Sequence, residues 1–132
     1  SQSDFVSIHT SLNGASHHMI NKSKLKLMKN TAFLVNTARG QVIDESDLVG
    51  VLKKEQIAGA ALDVFEEEPL PRKSPLLKMK NVVLLPHIGS ATYQTRSEMA
   101  RIAAKNLLDV LSGKEPDPRF LINPDARNVR PL

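Results

Sequence analysis

The chain has 132 residues, of which 41% are hydrophobic and 24% charged, a composition typical of a soluble globular protein. No apolar run approaches the roughly 20 residues that a membrane helix needs, so we predict neither a membrane span nor a membrane partner. The formal net charge is +4, but aromatic residues make up only 4% of the chain. The lysines therefore favour a solvated surface over a nucleic-acid groove, which usually contains stacking rings.

Cysteine is absent, which excludes a disulfide framework and a thiolate metal site. This fits a reducing compartment, and we predict a cytoplasmic protein with no metal site. The chain starts at Ser1 without an initiator methionine, a basic leader or a signal segment. We therefore expect a chain that begins inside a longer protein, since its length is small for a cofactor enzyme with a separate substrate domain.

Four short apolar runs alternate with helical or loop patterns. The runs at 5–8, 32–36, 57–64 and 82–85 predict strands, and the second of these reads Ala-Phe-Leu-Val, which is typical of a strand buried on both faces. Helices are predicted at about 22–29, from an N-cap at Asp44 to about residue 52, and at about 93–111 before Gly113. A proline-containing loop at about 65–80 and a proline-rich tail complete the chain.

The order β-α-β-α-β-loop-β-α is typical of a parallel sheet with right-handed crossover connections. The fold class predicted is therefore α/β, with about four parallel strands that form the second half of a doubly wound sheet. Neither a Gly-x-Gly-x-x-Gly loop nor a phosphate-loop lysine motif occurs in these residues. The first strand would then be an unpaired apolar edge, which favours pairing with another copy of the chain.

Polar residues follow three consecutive predicted strands. Arg39 follows the second strand, Glu68 lies in the acidic loop after the third, and His87 follows the fourth. Taken alone, Arg39 favours a surface salt bridge. The carboxyl ends of parallel strands, however, share one edge of the sheet. Together at that edge, a guanidinium can bind a substrate, an imidazole can protonate it, and a carboxylate can adjust the pKa of the imidazole.

The chain resembles the C-terminal portion of the D-isomer-specific 2-hydroxyacid dehydrogenases. Three segments carry this resemblance: Asn36-Thr37-Ala38-Arg39-Gly40; Ala60-Ala61-Leu62-Asp63-Val64-Phe65 with Glu68-Pro69-Leu70-Pro71; and Pro86-His87-Ile88-Gly89-Ser90-Ala91-Thr92. They cover most of residues 1–112 in the family's order, and the last segment is most similar to glyoxylate/hydroxypyruvate reductases. The resemblance implies a Rossmann-type fold and an NAD(P)-dependent oxidoreductase that reduces 2-keto acids.

The same resemblance implies a catalytic role for each of the three polar residues. Arg39 would hold the substrate carboxylate and polarise the keto oxygen. His87 would protonate that oxygen as the nicotinamide delivers hydride to the neighbouring carbon. Glu68, directly before Pro69, would pair with His87 and favour its imidazolium form. Glu66 and Glu67 do not match the family pattern and are expected to be solvated loop charges.

The cofactor-binding residues are also implied by the resemblance. Asp63 would accept a hydrogen bond from the nicotinamide carboxamide, and the Thr10-Ser11-Leu12 loop would run under the cofactor. Ser11 stands where the family commonly has proline, which puts the rigidity of that loop in doubt. His9, His17 and His18 are expected to be structural or solvent-facing, with a minor role in the cofactor loop as the alternative for His9 at its strand end. The remaining residues expected near the nicotinamide and its ribose are Thr37, Ala38, Arg39, His87 and Gly89.

Residues 1–90 would be the C-terminal half of a dinucleotide-binding domain, and residues 91–132 a helix and tail that return to a substrate domain. The phosphate loop and the residue that selects NAD or NADP would lie upstream of Ser1. Two alternatives to a reductase segment stay open. One is a non-catalytic, dinucleotide-sensing protein like the corepressors that share this fold, and the other is an inactive truncated product that self-associates.

Overall fold

The computed structural model describes residues 1–123. The chain divides into two compact units, one over Ser1–Gly89 and a second that begins at Ser90. The first unit contains a four-stranded parallel sheet with the strand order β1-β2-β3-β4. Its strands are β1 (Phe5–Ile8), β2 (Phe33–Asn36), β3 (Gly59–Leu62) and β4 (Val82–Leu84). The predicted α/β class with about four parallel strands is thus confirmed.

Two helices connect the first three strands. Helix α2 (Glu45–Lys53) begins where predicted, because the Asp44 carboxylate accepts the Asp47 backbone N–H at 2.9 Å and so satisfies one free donor of the first turn. Helix α1 (Lys22–Leu25) is shorter than the predicted helix at 22–29. Its single turn buries Leu25, after which the chain turns towards β2. The lysine-rich periodicity beyond Leu25 therefore does not correspond to a helix.

The core of the first unit lies on one face of the sheet. The side chains of Ile8, Leu34 and Leu62 pack there against Leu48 and Leu52 of α2. The prediction that β2 is buried on both faces is wrong for this unit, because burial alternates along the strand and Phe33 is 42% exposed. A run of four apolar residues does not distinguish a half-covered strand from a fully covered one.

On the opposite face the rings of Phe5 and Phe33 stack with centroids 5.6 Å apart. They stand in register on neighbouring strands, and Gly59 follows in register on β3. A Cβ atom at Gly59 would lie 2.5 Å from the Asn81 carbonyl oxygen and 3.1 Å from the Phe33 ring. The absence of a side chain at Gly59 therefore allows this close approach of neighbouring groups.

Helix α3 (Tyr93–Leu111) belongs to the second unit and matches the predicted helix at 93–111. Thr92 caps it through a hydrogen bond from the Thr95 N–H at 3.1 Å, and Gly113 follows with φ of 69°. Residues 124–132, the end of the proline-rich tail, lie outside the described residues. Over residues 1–123 no helix is both long enough and apolar enough to cross a membrane.

The turn after β2 packs directly against the chain after β3. A Cβ atom at Gly40 would lie 1.9 Å from the carbonyl carbon and oxygen of Phe65, closer than atoms can approach. Only glycine therefore allows this contact between the two loops. The contact brings the segment that follows Arg39 against the segment that leads to Glu68.

We expect Gly40→Ala to lower the free energy of unfolding by at least about 1–3 kcal/mol, because the two backbones must separate to admit the methyl group. Gly50→Ala in α2 is the matched control, since no atom lies within 4 Å of the added Cβ. It should raise the free energy of unfolding by about 0.5–1 kcal/mol through helix propensity. Denaturant unfolding of both variants measures the difference, and equal stabilities would contradict the close contact.

Candidate active site at the carboxyl edge of the sheet

Four loops leave the same edge of the sheet, because the four strands are parallel. His9 to Leu12 follow β1, Thr37 to Arg39 follow β2, and Asp63 follows β3. His87 comes shortly after β4. Every residue predicted for the site therefore lies beyond the carboxyl end of a strand, where ligands bind in open α/β sheets.

Asn36, the last residue of β2, shapes the turn that carries Arg39. Its side chain is completely buried; Oδ1 accepts the Ala38 N–H and Nδ2 donates to the Arg39 carbonyl, both at 3.0 Å. Sequence reasoning assigned no role to this residue. Its position could have indicated this role: an amide side chain that ends an apolar run is buried with the strand, and a buried amide needs hydrogen-bond partners such as the backbone of the next turn.

Arg39 presents an exposed guanidinium above this turn. Among residues 1–123 the guanidinium makes one hydrogen bond, from Nη1 to the Ala38 carbonyl oxygen at 2.7 Å, and it forms no ion pair. The salt bridge that Arg39 alone would suggest is thus absent from this part of the chain. The guanidinium has several donors left, in the fork geometry that matches a carboxylate.

The Arg39 turn and the loop after β1 line a concavity of about 490 Å³. This is the loop for which the sequence implies a place beneath the cofactor. Its His9 side chain lies within hydrogen-bond distance of the Ser7 hydroxyl, at 2.8 Å from Nε2 to Oγ. The lining residues are His9, Thr10, Ser11, Leu12, Thr37, Ala38 and Arg39.

Glu68 and His87 form a direct pair. Glu68 Oε2 lies 2.7 Å from His87 Nδ1, and the other carboxylate oxygen accepts the Phe65 N–H at 3.0 Å. An ionised carboxylate can only accept, so Nδ1 of His87 is the donor. This orients the imidazole and leaves Nε2 without a recorded partner among the described residues.

The environment of Glu68 favours its ionised form. Burial of the carboxyl raises its pKa, but the hydrogen bonds from His87 and the Phe65 amide and the charges of His87 and Arg39 outweigh that effect. The pKa of Glu68 therefore lies below its ordinary value of 4.5. Because the Arg39 charge helps to lower the pKa of Glu68, the loop after β2 interacts electrostatically with the loop after β3.

Asp63 holds the segment after His87. It is only 3% exposed, and its oxygens accept the backbone N–H groups of Ile88 at 2.8 Å and Gly89 at 2.6 Å. His87 itself has φ of 56°, a left-handed conformation that costs a non-glycine residue about 1 kcal/mol or more. Two hydrogen bonds to one carboxylate offset that strain, so Asp63 orients the backbone beside the imidazole.

A second concavity, of about 520 Å³, lies on the Glu68 and His87 side of this edge. Most of its lining is apolar, with the imidazole and the carboxylate as its titratable groups. It is lined by Phe65, Glu68, Pro69, Leu70, Leu84, Leu85, Pro86 and His87. An apolar concavity with a few convergent polar groups is the usual form of a small-molecule site.

The expectation that Glu66 is a solvated loop charge is wrong. Its carboxylate Oε1 lies 2.6 Å from His18 Nε2 and accepts the Glu45 N–H at 3.3 Å. These partners are distant in sequence, which is why inspection of the acidic run does not reveal them. Glu67, in contrast, is exposed and has no recorded hydrogen bond or ion pair within residues 1–123.

We predict that Glu68→Gln lowers the free energy of unfolding at neutral pH by at most about 1 kcal/mol, as expected for a solvent-exposed ion pair. Because the folded-state pKa lies below 4.5, the carboxylate stabilises the fold above that value, and its contribution is lost as pH falls through the folded-state pKa. Denaturant unfolding of parent and variant should therefore give stabilities that converge in acid. Glu67→Gln is the control, and a gap for Glu68→Gln that persists in acid would contradict the pairing.

Comparison with known proteins identifies close relatives. A family model described as D-isomer specific 2-hydroxyacid dehydrogenase, NAD binding domain, matches residues 1–89. The glyoxylate reductase of Thermofilum pendens is 54% identical over 131 residues, which are 99% of this chain and 38% of that protein. The glyoxylate/hydroxypyruvate reductase B of Cronobacter sakazakii is 50% identical over 112 residues, 85% of this chain and 35% of that protein.

A solved structure shows the same fold. The D-isomer specific 2-hydroxyacid dehydrogenase of Lactobacillus delbrueckii ssp. bulgaricus, in its NAD-complexed form, matches with a TM-score of 0.78 and 33% identity. The match covers 87% of this chain and 39% of that one, so the chain spans well under half of the length of its relatives. By its family model and its relatives, the chain belongs to the D-isomer specific 2-hydroxyacid dehydrogenase family.

Proposed function

We propose that this chain is part of an NAD(P)-dependent reductase that converts small 2-keto acids, of the glyoxylate and hydroxypyruvate type, to D-2-hydroxy acids. Family membership supports the reaction class. The names of the relatives from Thermofilum pendens and Cronobacter sakazakii support the choice of substrate. The protein as a whole would act on the substrate with parts that these 132 residues do not contain.

The Glu68–His87 pair is the observation that carries this proposal. Its carboxylate binds Nδ1 at 2.7 Å and leaves Nε2 of the same ring free to exchange a proton. Arg39 at the same edge keeps most of its guanidinium donors unused. A non-catalytic dinucleotide sensor would need neither an oriented acid nor an unpaired anion-binding group beside it.

In the proposed reaction the guanidinium of Arg39 binds the substrate carboxylate and directs a further N–H to the keto oxygen. The imidazolium of His87 donates its Nε2 proton to that oxygen, which becomes the hydroxyl of the product. Glu68 stays ionised and stabilises the imidazolium before the transfer. After the transfer the neutral ring keeps its orientation because Nδ1 still donates to Glu68.

The concavity of about 490 Å³ has the position expected for a dinucleotide, outside the carboxyl ends of β1 and β2. A bound NAD(P)H would supply the hydride for the keto carbon. Thr37, Ala38 and Gly89 are proposed to lie near the nicotinamide and its ribose. Asp63 is proposed to accept from the carboxamide with lone pairs that Ile88 and Gly89 leave unused.

We further propose that residues 1–90 form the C-terminal half of the dinucleotide-binding domain and that residues 91–132 connect to the substrate domain. Helix α3 exposes Met99, Leu107 and Leu111, each by more than half of its surface. An amphipathic helix with an exposed apolar stripe is suited to pack on another element. The substrate domain is the proposed partner of that stripe.

The proposal can be tested in a chimaera in which this chain replaces the matching segment of the Thermofilum pendens glyoxylate reductase. We expect oxidation of NADH or NADPH with glyoxylate and hydroxypyruvate. His87→Ala should lower kcat by about 10²- to 10⁴-fold, the usual contribution of a general acid. Arg39→Lys should raise KM for the keto acid by about tenfold or more, because lysine cannot form the bidentate contact.

Glu67→Ala is the control in this assay and should keep the parent kinetics. A chimaera that binds NADH in a fluorescence titration but does not turn over would favour the dinucleotide-sensing alternative. Turnover that is indifferent to His87→Ala would refute the catalytic assignment. The remaining alternative, an inactive truncated product that self-associates, is tested by assaying the 132-residue chain alone for NADH and NADPH oxidation.

We also propose that copies of this chain pair through the free edge of β1. Among the described residues β1 is hydrogen-bonded to β2 alone, and Phe5 on it is 69% exposed. An unpaired strand with an exposed aromatic side chain is prone to pair with another chain. Light scattering should detect dimers or larger species whose mass falls with Ser7→Pro, because the parallel register with β2 leaves the Ser7 N–H on the free edge. A monodisperse monomer would contradict this part of the proposal.

A further inference from the structure

Glu66 lies at the centre of a set of hydrogen bonds that the reductase mechanism does not use. Its backbone N–H donates to Glu45 Oε2 at 3.2 Å, and its own Oε1 accepts the Glu45 N–H at 3.3 Å. Its carbonyl oxygen accepts from Gln41 Nε2 at 3.1 Å, and His18 Nε2 lies 2.6 Å from Oε1. We call these four residues, Glu66, Glu45, Gln41 and His18, the Glu66 clamp.

The clamp joins the chain around His18, the stretch from Gln41 to Glu45 and Glu66, three parts of the first unit that are far apart in sequence. His18 comes before α1, Gln41 follows the Arg39 turn, and Glu45 is the first residue of α2. The His18 backbone N–H also donates to the Gln41 carbonyl at 2.8 Å. A carboxylate beside the first turn of α2 is favourable, because the free N–H groups there carry partial positive charge.

Repulsion between carboxylates opposes the arrangement of the Glu66 clamp. Burial raises the pKa of the Glu45 carboxyl, and the Glu66 and Glu67 carboxylates raise it further, against the lowering effect of the Glu66 N–H. Asp44 adds another carboxylate, 3.7 Å from His18 Nδ1. The Glu66 and Asp44 carboxylates both lie near the His18 imidazole, while the Glu45 and Glu66 carboxylates repel each other, so the hydrogen bonds of the clamp hold like charges together.

The clamp holds the backbone from which Glu68 is positioned. Glu66 directly follows Phe65, whose N–H is a donor to the Glu68 carboxylate at 3.0 Å. The peptide that links Phe65 to Glu66 lies against Gly40. Within residues 1–123 the only other hydrogen-bond partner of the Glu68 carboxylate is His87, the group that it must orient. Arg39 differs in this respect, because the buried Asn36 holds its turn independently.

We infer that Glu66 is a positioning residue: by binding His18, Gln41 and Glu45 it fixes the Phe65 amide, which in turn sets the Glu68 carboxylate for its hydrogen bond to His87. This inference rests on the proposed catalytic roles of Glu68 and His87. Glu66 lines neither of the two concavities described above. Its effect on the reaction passes entirely through the Glu68 carboxylate.

A double-mutant cycle in the chimaera tests the kinetic consequence. Glu66→Ala should lower kcat/KM for the keto acid by about 10- to 100-fold, as for a catalytic group displaced by about 1 Å. In a Glu68→Gln background the same change should cost no more than about twofold, because the carboxylate to be positioned is gone. Losses that multiply in the double variant would overturn the inference.

Two further variants separate positioning from general loss of structure. Glu66→Gln keeps an oxygen for the Glu45 N–H and should restore most of the activity that Glu66→Ala loses. Glu67→Ala changes the adjacent acid, which has no recorded partner in the described residues, and should behave as the parent. If Glu67→Ala and Glu66→Ala give equal losses, Glu66 has no specific role.

Amide exchange in the 132-residue chain tests the geometry without any assay of activity. In Glu66→Ala we expect the Phe65 amide to exchange at least about tenfold faster. The Ala58 amide, which donates to the Ala32 carbonyl at 2.9 Å within the sheet, should keep its rate. If Glu66→Ala does not fold, His18→Asn takes its place in this experiment. Asparagine tolerates the φ of 50° at this position, but its side chain is too short to bind Glu66.

Unchanged Phe65 exchange in folded Glu66→Ala or His18→Asn would overturn the inference. An inactive parent chimaera would instead refute the proposed function, and the positioning role is then decided by the exchange measurement. The two failures are therefore distinguishable. A faster Phe65 amide together with a non-additive kinetic cycle is the result that supports the clamp.

Discussion

A close approach between two backbones, at Gly40 and at the Phe65–Glu66 peptide, determines how the loops after β2 and β3 meet. A parallel sheet brings the ends of its strands to one edge, but it does not decide how the loops beyond that edge pack. The missing side chain at Gly40 allows contact at backbone distance. Arg39 and Glu68, on either side of this contact, are near enough for the guanidinium charge to lower the pKa of the carboxyl.

Two carboxylates and one amide hold the loops at the carboxyl edge of the sheet through hydrogen bonds. Asp63 binds the two N–H groups after His87, Glu68 binds the Phe65 N–H and the His87 ring, and Asn36 binds both ends of the Arg39 turn. Irregular backbone near a core needs such partners, because an unpaired buried N–H or C=O costs about as much as a lost hydrogen bond. The same contacts leave His87 Nε2 and most of the Arg39 donors unused. At this edge the backbone is therefore held by hydrogen bonds, while the side chains of His87 and Arg39 keep atoms available to bind a ligand.

Much of this arrangement could be predicted from the sequence, because it depends on local patterns. Apolar runs predicted each strand, Asp44 predicted the start of α2, and residues after the strand ends predicted the site. The errors have a common cause in tertiary contact. The lysine-rich pattern predicted too long a helix, because after Leu25 the backbone continues in i to i−3 turn bonds while Met28 still packs against the core. Glu66 looked solvated because its partners, His18, Gln41 and Glu45, are distant in sequence.

The sequence by itself determined the α/β class with about four parallel strands, and it put Arg39, Glu68 and His87 after three consecutive strands. These follow from hydrophobic periodicity and from residue type, which act over a few neighbouring residues. Only the tertiary structure decided that Arg39 has no ion-pair partner in the described chain, that Asp63 accepts from the Ile88 and Gly89 amides, and that Glu66 binds Glu45 and His18. Such features depend on the distances between atoms of different loops, which no local pattern contains.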